Sequence, residues 1–199
     1  SKCVKLVTRK TGSLGSSVNM PIASGNLFIG SFNLASALTN ALKATQFGIQ
    51  FDQIPTFLHG YYKFKAGDTF YELDASAEDK LKPVPGRKDI FNIYAVFYES
   101  TADRPVLDGT NILSEDNEQI ISVAQITDAK ETDEWTEFNL PFNLREGKSI
   151  DATKLKDGKY HLTIVFASSI RGDYFEGAPG STLYVDEVTL EYEQNETNQ

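Results

Sequence analysis

Apolar side chains in this sequence recur at every second position, in short runs broken by polar and glycine-rich stretches. From Lys159 to Ser168, Tyr160, Leu162, Ile164 and Phe166 share one side, and His161 and Thr163 take the other. From Glu134 to Phe142, Phe138, Leu140 and Phe142 alternate with Trp135, Glu137 and Asn139. A period of two places successive side chains on opposite faces of a strand, one face buried. Thr56 to Phe64 reads the same way, with His59, Tyr61 and Lys63 opposite Leu58, Tyr62 and Phe64, which puts Tyr62 in the core. Asp89 to Tyr98 is apolar on both faces and predicts a central strand covered twice, its second cover being a loop or a ligand.

Further strands are predicted over Val4–Arg9, Asn26–Phe32, Glu118–Ile126 and Ser181–Tyr192, with a loop of small residues over Thr11–Ser17. Leu34, Leu38 and Leu42, following Asn33 as an N-cap, predict the one short helix. Ala75–Lys88 and Ser100–Asn117 read as long loops. Strands without βαβ alternation exclude a Rossmann or α/β-barrel enzyme and predict an all-β, antiparallel two-sheet sandwich of jelly-roll kind. With no interior linker, 1–199 reads as a single domain, ordered over about 3–192 and ending in a polar tail, 193–199. The 13 Phe, 9 Tyr and single Met fit an aromatic, β-leaning core.

Charge narrows the partners. Lys and Arg number 19 against 28 Asp and Glu, for a net charge of −9, and no basic cluster could neutralise a run of phosphates, which disfavours nucleic acid. The single cysteine, Cys3, excludes an internal disulfide and a multi-cysteine zinc site. No apolar run approaches the ~20 residues of a membrane-spanning helix. The start, Ser1-Lys2-Cys3-Val4, reads as a strand rather than a leader, and the lack of an initiating Met suggests a fragment or processed product.

The segment from Ser168 to Gly180 concentrates polar and aromatic residues between the last two strands. Arg171, Asp173, Tyr174 and Glu176 there suit sugar recognition, since carboxylates accept hydrogen bonds from vicinal hydroxyls and a ring covers the apolar CH face. The competing reading is a tight connection whose aromatics anchor it to the core. Asp173 and Glu176 are also the candidate acid pair if the chain is a glycoside hydrolase, which needs two carboxylates about 5 to 9 Å apart. Arg171-Gly172-Asp173 spells an integrin-type triplet, which is common by chance. His59 and His161 lack neighbours at metal-ligand spacing.

Asp186 falls in phase with the apolar residues Tyr184, Val188, Leu190 and Tyr192. A carboxylate on such a face needs hydrogen-bond donors or a structural Ca²⁺, unless a bulge turns it outward. No other cofactor is expected. Trp135, His59, Tyr61 and Lys63 form either an aromatic binding surface or a face covered by the two long loops.

Seven short motifs in order carry a family resemblance: Leu6-Val7-Thr8, Gly25-Asn26-Leu27-Phe28-Ile29-Gly30, Leu58-His59-Gly60-Tyr61-Tyr62-Lys63, Asp108-Gly109-Thr110-Asn111, Trp135-Thr136-Glu137-Phe138, Phe175-Glu176-Gly177-Ala178 and Leu183-Tyr184-Val185-Asp186-Glu187-Val188. From about Lys5 to Tyr192 the chain resembles the putative carbohydrate metabolism domain of gut Bacteroidetes surface proteins. The resemblance implies a jelly roll similar to carbohydrate-binding modules and galactose-binding-like domains, behind an immunoglobulin-like domain in an exported lipoprotein at the cell surface or in the periplasm. It implies an oligosaccharide or polysaccharide partner and carries over no catalytic residues. The expected function is non-catalytic glycan binding, with Tyr61, Trp135 and Tyr174 stacking on sugar rings and Arg171, Asp173 and Glu176 binding hydroxyls. The alternatives are a glycoside hydrolase and a structural or adhesive surface domain.

Overall fold

The computed structural model describes residues 2–33 and 40–193. The two main sheets are built from β1 (Val4–Val7), β2 (Asn26–Phe28), β3 (Ile49–Gln50), β4 (Ile54–Lys65), β5 (Asn92–Glu99), β6 (Ile120–Gln125), β7 (Thr132–Pro141), β8 (Asn143–Leu144), β9 (Tyr160–Ala167) and β10 (Thr182–Glu193). The first sheet runs β1–β10–β4–β7. The second runs β8–β6–β5–β9, with β2 and β3 side by side on the free edge of β9. All pairings are antiparallel, as predicted.

The alternation sets the packing. Leu58, Tyr62, Phe64, Phe138, Leu140, Leu183 and Val185 point from the first sheet onto Ile93, Ala95, Phe97, Leu162, Ile164 and Phe166 of the second. Phe91, just before β5, is fully buried between Tyr62 and Phe64, with ring centroids 4.7 and 4.9 Å away. Gly60 has the space for a hydrogen only, because a Cβ there would lie 2.6 Å from the Phe138 ring.

The outward side chains of β5 and β9 supply a second core. Tyr94, Val96, Tyr98 and Val165 pack with Phe47, Leu107, Ile112 and Ile120. Their cover is a small three-stranded sheet of Gly30–Phe32, Thr45–Phe47 and Leu107–Asp108, so the second cover of the two-sided strand is protein. Burial pushes the Tyr98 hydroxyl up to about 12, and it donates to the Phe47 carbonyl at 2.6 Å, pinning the small sheet to the large one.

The structure departs from expectation in several places. The strand expected over Asn26–Phe32 breaks after Phe28 and changes sheets at Gly30, whose φ is 152° and where a Cβ would lie 2.2 Å from the Gln46 carbonyl oxygen, leaving no place for a side chain. The expected loop of small residues holds a helical segment, Gly12–Ser17, closed by the Thr11 hydroxyl donating to the Met20 carbonyl at 2.6 Å. A third short helix, Ala152–Lys156, follows Asp151, whose carboxylate accepts from the Thr153 and Lys154 amides. Of the helix expected over Leu34–Leu42, residues 34–39 lie outside the described residues, and Ala41–Ala44 is helical. The polar tail from 194 also lies outside them.

Phe91→Ala removes the ring that joins the two sheets and is expected to cost about 3–5 kcal/mol, read as a lower urea midpoint with little change in the slope of the transition.

Candidate functional site

A cleft of about 690 Å³ opens where the small covering sheet stops. Its floor is the outer face of β5 and β9, with the cross-strand pairs Asn92–Ala167 and Tyr94–Val165. One wall carries Phe28, Phe32 and the turn Gly109–Ser114. The other is the segment Ser169–Phe175, so the loop picked out by its polar-aromatic composition does border a cavity.

Gly172–Tyr174 forms a single 3₁₀ turn, and Phe175 follows with φ of 58°. The turn presents Asp173 and Tyr174 at the cleft mouth, Tyr174 being 54% exposed. Across the cleft Phe32 is 56% exposed. The cleft walls partly desolvate Asp173 and push its carboxyl up, against the pull of backbone amides and Arg171. Asp173 is nonetheless solvent-accessible, so water at the mouth works against that push. Burial, reinforced by the Asp173 charge, raises the pKa of Tyr94 and keeps its hydroxyl protonated.

Arg171 and Glu176 pair on the same loop, the Glu176 side chain largely buried and that of Arg171 partly exposed. Arg171 Nε lies 2.9 Å from Glu176 Oε2, and its guanidinium stacks 3.8 Å from the Tyr174 ring centroid. This clamp occupies one face of Tyr174 and fixes the ring. Glu176 does not line the cleft, so Asp173 and Glu176 are not presented to it as a pair.

Tyr61 and Trp135 lie on the opposite side of the molecule, on the outer face of the first sheet. Tyr61 pairs with Asp186 and Glu137 across its strand neighbours, and its ring meets His59 edge-on at 5.5 Å. Lys63 sits 5.1 Å over Trp135, and His59 Nε2 lies 2.9 Å from Glu137 Oε1. Trp135 is 41% exposed, so this face is open rather than covered by the long loops. Of the six candidate ligand-binding residues, Asp173 and Tyr174 line the cleft, Tyr61 and Trp135 lie on the other sheet, and Arg171 and Glu176 pair with each other.

Asp186 is half-buried on that same outer face, and its Oδ1 accepts from the Glu187 amide at 2.9 Å. A bulge between Asp186 and Thr189, with Glu187 at φ 51°, inserts an extra residue opposite Gly60 and shifts the phase of the strand. Leu190 consequently packs inward although Asp186 does not. Among the described residues no group of three or more His, Cys, Asp or Glu is placed to hold a metal ion.

A buried polar network missed in the sequence holds the site. Asp89 is 4% exposed, and its Oδ2 accepts from the Ser169 hydroxyl at 2.5 Å, the Ser181 hydroxyl at 2.7 Å and the Ala178 amide at 2.8 Å. Its Oδ1 accepts from the Ile90 amide. Thr8 Oγ1 adds contacts of 2.6 and 2.8 Å to the hydroxyls of Ser169 and Ser168. A Cβ at Gly177 would lie 2.6 Å from Ser169 Oγ, and its φ of 152° also favours glycine. The signal for these residues was the excess of Ser and Gly flanking the loop, which carries no distance information. Asn92, Tyr94 and Phe32 fall on expected strands, which gives no sign of a site, and the Asp108–Asn111 motif, whose last three residues line the cleft, carries only the family resemblance. That turn folds on itself, Asp108 Oδ1 accepting from the Thr110 amide at 2.8 Å and Asn111 Oδ1 from the Asp108 amide at 2.9 Å.

An antiparallel sandwich with a ligand-sized cleft beside an acid-aromatic turn defines a β-sandwich domain with a built pocket outside its main core. The chain belongs to the family described as "Putative carbohydrate metabolism domain", whose model matches residues 1–191. It is similar to the crystal structure of a putative glycoside hydrolase from Bacteroides thetaiotaomicron VPI-5482, with a TM-score of 0.90 and 54% identity over 98% of this chain and 55% of that one. A putative glycoside hydrolase from Bacteroides vulgatus ATCC 8482 matches with a TM-score of 0.85 and 50% identity, over 96% of this chain and 73% of that one. The chain thus spans little more than half the length of the first. A comparison with curated proteins gives no match.

Burial is the main cause that raises the Asp89 pKa, with the donors at its oxygens acting against it. A raised folded-state pKa stabilises fully below the unfolded value of about 3.9 and loses that contribution as pH climbs through the folded value. The stability advantage of wild type over Asp89→Asn is therefore expected to be larger at about pH 4 than at about pH 7 in urea titrations. Asp89→Ala, which strands four donors, is expected to cost about 3–5 kcal/mol at about pH 7 and more at about pH 4.

Proposed function

We propose that this domain binds a glycan in the cleft between the 168–176 loop and the small covering sheet, as a non-catalytic, carbohydrate-binding-module-like part of an exported protein. The observation that carries this reading is the pairing, at one cavity mouth, of an exposed carboxylate with exposed rings from opposite walls: Asp173, Tyr174 and Phe32. A sugar ring presents an apolar CH face and a rim of hydroxyls, and this arrangement answers both. Tyr174, with one face already backed by Arg171, offers a fixed ring for stacking. Asp173 accepts from hydroxyls, and the side-chain NH2 groups of Asn92 and Asn111 supply further donors, their Oδ1 atoms already accepting from Gln125 and the Asp108 amide. A volume of about 690 Å³ falls within the usual range of ligand pockets and accommodates a short oligosaccharide. Tyr61 and Trp135 do not belong to this site.

The names of the two structural neighbours favour a second reading, a glycoside hydrolase. Such an enzyme sets two carboxylates across the scissile bond. Among the described residues that line the cleft, Asp173 is the one carboxylate, which supports binding over hydrolysis. The two readings, and that of a structural or adhesive domain, separate in a glycan array followed by a reducing-end release assay on each hit. Binding without release supports the module, release supports the hydrolase, and silence in both supports the structural domain.

Tyr174→Ala is expected to weaken binding of an array hit about tenfold or more, a loss of about 1.4 kcal/mol, whereas Trp135→Ala leaves it within about twofold. Titration calorimetry on both variants checks this.

A further inference from the structure

The charge inventory of the cleft bears on which sugars it takes, an inference that rests on the glycan-binding reading above. The described residues lining it are aromatic, aliphatic, amide or hydroxyl in type, with one exception, Asp173. No Lys, Arg or His is among them. Two cations flank lining residues in sequence: Lys43, exposed beside Leu42, and Arg171, which is committed twice over, to Glu176 at 2.9 Å and to the face of Tyr174 at 3.8 Å. The Arg171–Glu176 pair is neutral as a unit and offsets the Asp173 charge at the mouth only in part. The chain as a whole adds a net charge of −9 of the same sign.

Recognition of a uronate or a sulfate ester draws on Arg or Lys, whose donors pair with anionic oxygens. Here an anionic sugar would meet a carboxylate of its own sign with no lining cation to offset it, and partial desolvation strengthens that repulsion. A neutral sugar meets the same carboxylate as a hydrogen-bond acceptor. We infer that Asp173 is a specificity-determining residue: it restricts this cleft to uncharged glycans and turns away uronate-bearing and sulfated ones. Selectivity then comes from a group that serves one ligand class and opposes the other, which discriminates further than attraction alone.

The test uses matched ligands that differ in one oxidation. Cellohexaose, mannohexaose and β-1,4-galactohexaose are titrated into the protein, each also as its C6-oxidised uronate, at about 20 mM and about 500 mM salt. At least one neutral hexasaccharide is expected to bind, and its oxidised form to bind about tenfold or more weaker at low salt, the gap narrowing at high salt. Asp173→Asn keeps the shape and part of the hydrogen-bonding capacity. It is expected to weaken the neutral ligand only a few-fold, about two to five, and to bring the oxidised form within about threefold of it. Asp173→Lys is expected to reverse the order. Thermal melting of both variants verifies folding, and Asp173 is exposed, so neither change opens a core. Equal or tighter binding of an oxidised form by wild type overturns the inference, as does a gap that Asp173→Asn leaves unchanged. If neither form of any of the three binds, the glycan-binding reading itself fails and the inference falls with it.

Discussion

One buried carboxylate ties together the parts of this molecule that the alternation of its strands does not. The two sheets hold each other through apolar burial, but the 168–181 connection crosses the end of the sandwich with few apolar side chains of its own. Asp89 supplies what that connection lacks. Its Oδ2 gathers the Ser169 and Ser181 hydroxyls and the Ala178 amide, groups spread over the whole loop. Removing a carboxylate from water is costly, and that cost is offset only while all the donors converge. The network is therefore close to all-or-none in geometry, which is what a loop needs if it is to present a 3₁₀ turn at a fixed position. Ser169 belongs both to the network and to the cleft wall, so the anchor reaches the cavity directly.

The cavity itself follows from an incomplete second layer. β5 and β9 are apolar on both faces, so their outer side had to be covered, and a small sheet does so around Tyr98, Val96 and Phe47. That cover is short. Toward the start of β5 and the end of β9 it runs out, and there the outward residues change from Tyr98 and Val96 to Tyr94 and Asn92. An amide, Asn92, takes the outward position where the strand meets the cleft, although it and Tyr94 are both buried. The same strand thus serves as core at one end and cleft floor at the other.

Much of this was legible in the sequence, for a definite reason. A period of two is a local signal, and it placed Tyr62 inward, Trp135 outward and β5 in the centre of its sheet without knowledge of any pairing. It failed where a single residue breaks the phase. Asp186 looked buried because the alternation was extended through Glu187 and Val188, and the bulge opposite Gly60 resets it. Gly30 likewise moves a continuous apolar run between two sheets. The long-range polar contacts were beyond reach in kind: Asp89 and Ser169 are 80 residues apart, and nothing in the composition of either segment encodes their 2.5 Å contact. The loop 168–180 was found by composition, yet the roles within it were not, because Arg171 and Glu176 look as available for a ligand as Asp173 until their 2.9 Å pairing is seen.

That pairing divides one loop into support and contact. A residue committed to a partner inside the protein has little left to offer a ligand, so the polar side chains nearest a cavity are not by that fact its binding groups. Arg171 and Glu176 neutralise each other while steadying Tyr174, and Asp173, accessible at the cleft mouth, keeps its carboxylate for whatever enters. The order of acid and aromatic around this short turn therefore decides which carboxylate faces the cleft, more than the number of polar residues in the loop.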